Sequence, residues 1–330
     1  MKNFFLFRSA FTNFIIFLFS IYIYSNTNNI KNDTLLLQND FLQVKIKKEG
    51  AEIISIFNKE KSFEHIWQAD KKSWNQNAPI LFPIVGKLKK GHYKIDGKKY
   101  KMKNHGFASY SNFEIVSKSK KEVILELTSN KKTLEEYPYK FKLIVKYTLK
   151  GNKVSVENKV LNTDSKRIYF SIGAHPGFNI PYNNNNEKYS DYYLEFNKNE
   201  NASRLPLTKE KGLLSNNSIP NYLNNSNKLN LNHKMFKDRA VILEGLKSTT
   251  VSIKSNHSET FVKFGIKNFP FLGVWTTSKL DEPYVCIEPW YGISDNINTN
   301  GDFKKKKGIQ TLEKGKKFKM NYYIEIVNKK

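Results

Sequence analysis

The clearest pattern in the chain is an alternation of apolar and polar residues. In residues 139–150, YKFKLIVKYTLK, every second side chain is large and apolar, and lysines fill most of the positions between them. A period of two residues sustained over this length predicts a long strand with one buried face.

Further β-rich runs predict that most of the chain forms strands. They cover residues 41–48, 121–128, 153–161, 166–172, 191–196, 240–246, 260–266, 271–276, 284–288 and 318–327. The pair Asp96-Gly97 between two short runs predicts a hairpin, and Lys131–Tyr137 before Pro138 is the one good candidate for a short helix. The runs continue on both sides of Asn-rich residues 183–186 and 215–232, which predicts one all-β domain, a large antiparallel β-sandwich.

The first 25 residues lack this alternation of apolar and polar residues. Two charges, Lys2 and Arg8, precede an apolar stretch from Phe14 to Tyr24, which is the pattern of a secretory signal peptide. We therefore expect a cleaved signal over residues 1–25, a flexible polar arm over 26–34 and the folded domain over 35–330, with the protein secreted or in the secretory pathway. The alternative is an uncleaved segment that anchors the protein, which would be its only contact with a membrane.

The charge balance limits the partners of the protein. The chain carries 55 Lys and Arg against 30 Asp and Glu, a net charge of +25, but only four of the basic residues are arginines. Arginine provides most bidentate recognition of phosphates and bases, so we expect no nucleic-acid partner. The single cysteine, Cys286, excludes an internal disulfide framework and a zinc site built from cysteines.

Polar residues inside apolar or glycine-marked strings are the candidates for chemistry. The chain has no phosphate-binding loop, no HExxH and no GxSxG motif. His175 follows an apolar run and lies between Gly173 and Pro176, and Glu288 ends another run. A histidine and a carboxylate facing one pocket would form a general acid and base pair. The alternative is structural: a hydrogen-bonded turn histidine and a paired carboxylate, and the same ambiguity applies to His105.

Six strings in this order carry a resemblance to a known family. They are APILFPIVG (78–86), HGFA (105–108), FSIGAHPGF (170–178), DYYLEF (191–196), FPFLGVWT (269–276) and CIEPWYGISD (286–295). The chain resembles the aldose 1-epimerase (galactose mutarotase-like) superfamily, and within it the LacX-like branch. The resemblance extends over about residues 40–328 and implies a large antiparallel β-supersandwich.

The resemblance also implies the roles of individual residues. His175 corresponds to the acid that protonates the sugar ring oxygen, and Glu288 to the base that takes the proton of the anomeric hydroxyl. His105 resembles a second histidine that positions the substrate, and Asp238 is the candidate for a carboxylate that accepts a sugar hydroxyl. We expect His175 and Glu288 on opposite walls of one cleft, about one sugar ring apart.

Two more residues complete the expected site. Lys87 stands where relatives usually carry an arginine that holds the sugar, and lysine keeps the charge but lacks the planar donor fork. Trp290 is a candidate pocket wall, with a place in the core as the alternative.

The resemblance implies an aldose 1-epimerase, or mutarotase, that interconverts the α and β anomers of a free hexose without a metal or cofactor. One alternative is a hexose 6-phosphate as substrate. The other is a secreted carbohydrate-binding protein of the same fold that lacks turnover.

Overall fold

A computed structural model describes residues 33–182, 187–208, 211–277 and 282–328. The predicted signal peptide and nearly all of the predicted arm lie outside these residues, and the first strand begins at Thr34. In the described part of the chain, no helix is long and apolar enough to cross a membrane.

Strands dominate the described residues, as the alternation predicts. In chain order they are β1 (Thr34–Gln38), β2 (Leu42–Lys47), β3 (Glu52–Asn58), β4 (Phe63–Glu64), β5 (Ile80–Leu81), β6 (His92–Ile95), β7 (Lys98–Lys101), β8 (Glu114–Lys118), β9 (Glu122–Thr128), β10 (Phe141–Lys150), β11 (Lys153–Asn162), β12 (Ile168–Phe170), β13 (Ile172–Ala174), β14 (Gly177–Asn179), β15 (Tyr192–Glu200), β16 (Ser203–Arg204), β17 (Ser226–Asn230), β18 (Val241–Glu244), β19 (Thr250–Ser255), β20 (Thr260–Gly265), β21 (Phe271–Trp275), β22 (Tyr284–Tyr291), β23 (Gln310–Leu312) and β24 (Lys317–Asn328).

The described helices are short. One α-helix, α1 (Lys131–Glu136), begins after Asn130, whose side chain accepts the backbone N–H of Thr133. This confirms the predicted helix, and the β6–β7 pair confirms the predicted hairpin at Asp96-Gly97. Single 3₁₀ turns occupy Lys89–Gly91, Ala108–Tyr110, Tyr189–Asp191, His233–Phe236 and Phe303–Lys305.

The strands form a β-supersandwich in which the named strands pair antiparallel. A nine-stranded sheet has the order β17-β15-β19-β20-β24-β11-β10-β9-β8, and a seven-stranded sheet has the order β16-β18-β21-β22-β13-β5 with β14 also paired to β22. A four-stranded sheet, β1 to β4, and two small pairs, β12-β23 and β6-β7, complete the described sheets. The predicted fold class is confirmed.

One large apolar core lies between the sheets. It includes Leu143 and Val145 of β10, together with Val285 and Ile287 of β22. The pattern of β10 therefore follows from its single buried face. Strand β22 is buried on both faces, which is why its first four residues, 284–287, form a continuous apolar run. Its second face, opposite the main core, forms the floor of the candidate site.

Candidate active site

The candidate site is built on β22 and the two short strands beside it. Strand β13 pairs Gly173 with Trp290, and β14 pairs Gly177 with Cys286. This register places His175, in the connection between β13 and β14, opposite Glu288. On the other side of β22, Gly273 of β21 pairs with Glu288. A Cβ atom on Gly273 would lie 2.6 Å from the Trp290 ring and 3.2 Å from Cβ of Glu288, so the glycine leaves room for both side chains.

His175 and Glu288 are in direct contact. Nε2 of His175 lies 3.0 Å from Oε2 of Glu288, and the carboxylate is 1% exposed. Burial raises the pKa of Glu288, and the neighbouring His175 partly offsets this shift. Among the described residues, Oε2 of Glu288 and Nδ1 of His175 have no well-directed hydrogen bond. Both groups therefore keep bonding capacity for a ligand.

This contact differs from the expected spacing of about one sugar ring. The two side chains are neighbours across a strand pairing rather than residues on opposite walls of the cleft.

A cavity of about 310 Å³ opens above the pair, within the range of ~300–1,000 Å³ found for small-molecule sites. Its floor comes from the seven-stranded sheet and its walls come from loops. The lining residues of the floor are Leu81, Ile242, Trp275, Glu288 and Trp290, and those of the walls include Trp74, Gln76, Lys87, Asn104, His105, Ser109, Tyr110, Gly212, Arg239 and Ser294. Of the described residues that line it, Glu288 is the only carboxylate.

His105 lies in this cavity with a defined tautomer. Its Nδ1 accepts the backbone N–H of Gly86 at 3.1 Å, so the neutral ring carries its proton on Nε2. Burial, with smaller contributions from His175 and Lys87, lowers the pKa of His105 to about 3. The ring is therefore a neutral donor near neutral pH. Its centroid lies 5.6 Å from that of His175, with the two rings nearly perpendicular.

Lys87 also lines the cavity, on a backbone held by the end of the CIEPWYGISD string. Its N–H donates to Oγ of Ser294, and its carbonyl accepts the N–H of Asp295. Asp295 in turn forms a buried ion pair with Lys306, at 3.2 Å. Burial and the charge of Arg239 lower the pKa of Lys87. The string therefore positions the Lys87 backbone as well as supplying Glu288.

Two tryptophan side chains flank the imidazole of His175. The ring of Trp74 lies against it with a centroid distance of 4.8 Å, and Trp275 meets it edge to face at 5.5 Å. Trp74 comes from a loop fixed by Glu52, whose carboxylate accepts the N–H groups of Asn77 and Ala78. Sequence reasoning missed Trp74 because its loop has no regular pattern, and an aromatic residue among polar ones was the only signal.

Asp238 does not appear among the residues that line the cavity, whereas its neighbour Arg239 does. Arg239 has a backbone φ of 77° and lies beside Gly212, opposite Lys87. The structure therefore places a cation where the resemblance suggested a carboxylate. Trp290 lines the cavity and also belongs to the apolar cluster beneath it, so the pocket-wall and core interpretations both apply.

The described residues also include one group that could share a metal ion. It consists of His175, Glu288 and Cys286, whose ligand atoms all lie within 4.8 Å of one another.

The fold and the site define an all-β protein with a buried histidine and carboxylate pair at the bottom of a small-molecule pocket. The family model for aldose 1-epimerase matches residues 33–322. The chain therefore belongs to the aldose 1-epimerase family.

Relatives and solved structures agree with this assignment. The chain is 33% identical over 301 residues to the chromosomal LacX protein of Lactococcus lactis subsp. lactis, a match that covers 89% of this chain and 100% of the relative. It is similar to the structure of a galactose mutarotase related enzyme from Lactobacillus acidophilus, with a TM-score of 0.85, 33% identity, and coverage of 89% and 97% of the two chains. A galactose mutarotase-like protein from Lactobacillus casei ATCC 334 gives a TM-score of 0.83, 28% identity, and coverage of 89% and 100%.

Proposed function

We propose that the protein is an aldose 1-epimerase that interconverts the α and β anomers of a free hexose. The observation that carries this proposal is the contact between His175 and Glu288 at the bottom of the cavity. The anomeric carbon of an aldose carries two oxygen atoms, the hydroxyl oxygen and the ring oxygen. Two neighbouring side chains that exchange protons can serve one of these atoms each. Membership of the aldose 1-epimerase family supports the same reaction.

In the proposed reaction, ionised Glu288 takes the proton of the anomeric hydroxyl while protonated His175 donates a proton to the ring oxygen. The bond between the anomeric carbon and the ring oxygen breaks, and an open-chain aldehyde forms. Rotation about the neighbouring carbon–carbon bond presents the other face of the aldehyde. Ring closure then runs the two proton transfers in reverse, so the enzyme returns to its starting state without a net change in protons or electrons.

Other cavity residues would hold the sugar during this cycle. Nε2–H of His105 is a donor for a sugar hydroxyl, because Nδ1 already accepts the N–H of Gly86. Lys87, which also lines the cavity, offers a second donor. Trp74 and Trp275 offer apolar surfaces beside His175 on which the C–H face of a sugar packs.

A polarimetric assay tests the proposal. Purified protein is added to freshly dissolved α-D-glucose or α-D-galactose, and the rate of approach to the equilibrium rotation is compared with the spontaneous rate. Acceleration proportional to protein concentration supports an epimerase. Saturable sugar binding without acceleration would instead support the non-catalytic carbohydrate-binding alternative.

A hexose 6-phosphate is a second candidate substrate, favoured by the two cations of the cavity. A Cβ atom built on Gly212 would lie 3.2 Å from Nε of Arg239 and 3.3 Å from Cδ of Lys87, so these side chains flank the same point. The charge of Arg239 also lowers the pKa of Lys87, which is the effect of two like charges sharing a site. A phosphate group would reduce this repulsion. A higher kcat/KM for glucose 6-phosphate than for glucose in the same assay would favour this candidate.

A further inference from the structure

The thiol of Cys286 lies next to the proposed acid and base. Side chains alternate along β22, so Cys286 and Glu288 extend from the same face of the strand. Cys286 is fully buried in a small cluster with Trp67 and Tyr284, on the cavity side of the sheet. The strand pairing that brings His175 opposite Glu288 also pairs Cys286 with Gly177, two residues after His175. The thiol sulfur, the imidazole nitrogen and the carboxylate oxygen therefore lie near one another, all within 4.8 Å.

These three atoms form a donor set suited to zinc. Imidazole, thiolate and carboxylate are the ligands found in catalytic zinc sites, which use three protein ligands and leave one position open. With metal–ligand distances of ~2.0–2.3 Å, the ligand atoms of a tetrahedral ion lie roughly 3.5 Å apart. The separations here are at most 4.8 Å, so the largest exceeds this spacing by roughly 1 Å.

The charges of the bound state fit a divalent ion. On binding, the thiol of Cys286 would lose its proton to solvent, because a thiol coordinates a metal as the thiolate. The thiolate and the carboxylate would then carry two negative charges, so the complex with a neutral imidazole and Zn²⁺ has no net charge in a buried position. His175 and Glu288 line the cavity and provide the approach for an ion, while Cys286 lies behind them. The open position of the ion would face the cavity.

We propose that His175, Cys286 and Glu288 form an inhibitory site for a soft divalent cation such as Zn²⁺. The bound ion occupies the imidazole nitrogen and the carboxylate oxygen that the proposed reaction needs, and it competes with the sugar for the bottom of the cavity. Hard cations such as Mg²⁺, which require oxygen ligands, do not bind there. Metal binding itself is independent of the proposed function, whereas the inhibition rests on it.

Cobalt binding tests the site without any activity measurement. The full chain, purified without thiol reagents or chelators, is titrated with Co²⁺ and its absorption spectrum is recorded. Because Cys286 is the only cysteine of the chain, a sulfur-to-cobalt charge-transfer band in the near ultraviolet identifies it as a ligand. We expect this band, together with its loss when Zn²⁺ is added. Its absence from the folded wild-type protein would overturn the proposal.

Competition for Zn²⁺ against a chromogenic chelator gives the strength of the site. Cys286→Ser should weaken Zn²⁺ binding by roughly a hundredfold or more, since the thiolate is the softest of the three donors. His257→Gln removes an exposed histidine and is the matched control for binding at the surface, with no change expected. Equal Zn²⁺ affinity in the wild type and a folded Cys286→Ser variant would contradict the site. If this variant does not fold, the wild-type cobalt spectrum still decides.

Inhibition is measured in the polarimetric assay, with each variant compared with its own metal-free rate. Zn²⁺ should inhibit the wild type competitively with the sugar. The Cys286→Ser variant should need roughly a hundredfold higher Zn²⁺ concentration for the same degree of inhibition. Mg²⁺ should inhibit neither protein. A cobalt spectrum in a protein without epimerase activity would contradict the proposed function and leave the metal site intact. Epimerase activity without metal binding would contradict the metal site and leave the proposed function intact.

Discussion

The indole ring of Trp290 lies across Gly173 on the neighbouring strand. A Cβ atom on Gly173 would stand 2.5 Å from Cδ1 of Trp290 and 3.2 Å from a methyl group of Val85. Gly173 is not among the residues with positive φ, so its role is close packing rather than an unusual backbone conformation. The absence of a side chain here lets Trp290 lie flat beside Glu288 and form part of the cavity floor.

This packing predicts the effect of adding one methyl group. Gly173→Ala should lower the free energy of unfolding by about 1–3 kcal/mol, the usual cost of overpacking a core, as measured by urea denaturation. Trp290→Leu removes the atom that the new Cβ would meet. The double variant should therefore lose less stability than the two single variants together. Strict additivity would show that Gly173 does not act through Trp290.

A second prediction concerns Lys87, which lines the cavity and which the family resemblance places at an arginine position. Lys87→Arg should lower KM for the sugar by about tenfold or more, because the guanidinium can donate one more parallel hydrogen bond than the ammonium, and such a bond contributes roughly 1.5–3 kcal/mol. The value of kcat should change little, since Lys87 transfers no proton. Lys90→Arg, at an exposed position of the same loop, is the control. Unchanged KM and kcat in Lys87→Arg would remove Lys87 from the site.

The buried ring of His65 predicts an acid-sensitive fold. Both ring nitrogens lack a hydrogen-bond partner among the described residues, and Phe63 and Tyr182 pack edge-on against the ring. The neighbouring Glu64 carboxylate instead accepts backbone N–H groups of Ile56 and Ile66. Burial lowers the pKa of His65 to about 3.

The unfolded chain therefore binds a proton that the folded chain excludes between pH ~6.5 and ~3. The stability contributed by neutral His65 is fully present above pH ~6.5 and is lost as the pH falls through this window, by up to ~1.4 kcal/mol per pH unit. His65→Phe should reduce this slope in urea denaturation at several pH values, whatever its effect at neutral pH. His257→Phe, at an exposed position, should leave the slope unchanged. Equal slopes in all three proteins would exclude His65 as the source.

The N-terminal segment gives a prediction about location. If residues 1–25 are a cleaved signal, protein recovered from the source cell should begin near residues 25–29 and occur outside the cytoplasm. N-terminal sequencing decides this. A mature chain that starts at Met1 or Lys2 would exclude cleavage and leave the anchored alternative.

The fold was largely predictable because its pattern is local. Strand β10 places Leu143, Val145 and Tyr147 on the buried face that the alternation assigns to them. Strands such as β5, of two residues, were missed because so short a pairing depends on partners far away in sequence. The strings FSIGAHPGF and CIEPWYGISD likewise indicated His175 and Glu288 as site candidates, and both residues line the cavity.

The geometry of the site was less predictable. The contact between His175 and Glu288 follows from the register of β13 and β14 on β22, which no local pattern specifies. The same limit applies to Asp238, which the resemblance suggested as a site carboxylate: its neighbour Arg239 lines the cavity instead, because the conformation of this irregular loop determines which side chain faces the cavity. Trp74 was missed for a related reason, because its position depends on hydrogen bonds from its loop to Glu52.

The central claim is that Glu288 and His175 transfer the protons of anomer exchange, and kcat for mutarotation tests it most directly. Glu288→Gln and His175→Asn should each reduce kcat by about 10²-fold or more, the usual contribution of a general base or acid, while circular dichroism confirms that the variants fold. Glu135→Gln, an exposed change of the same chemistry on α1, should keep the wild-type rate. A folded Glu288→Gln variant with an unchanged kcat would contradict the account.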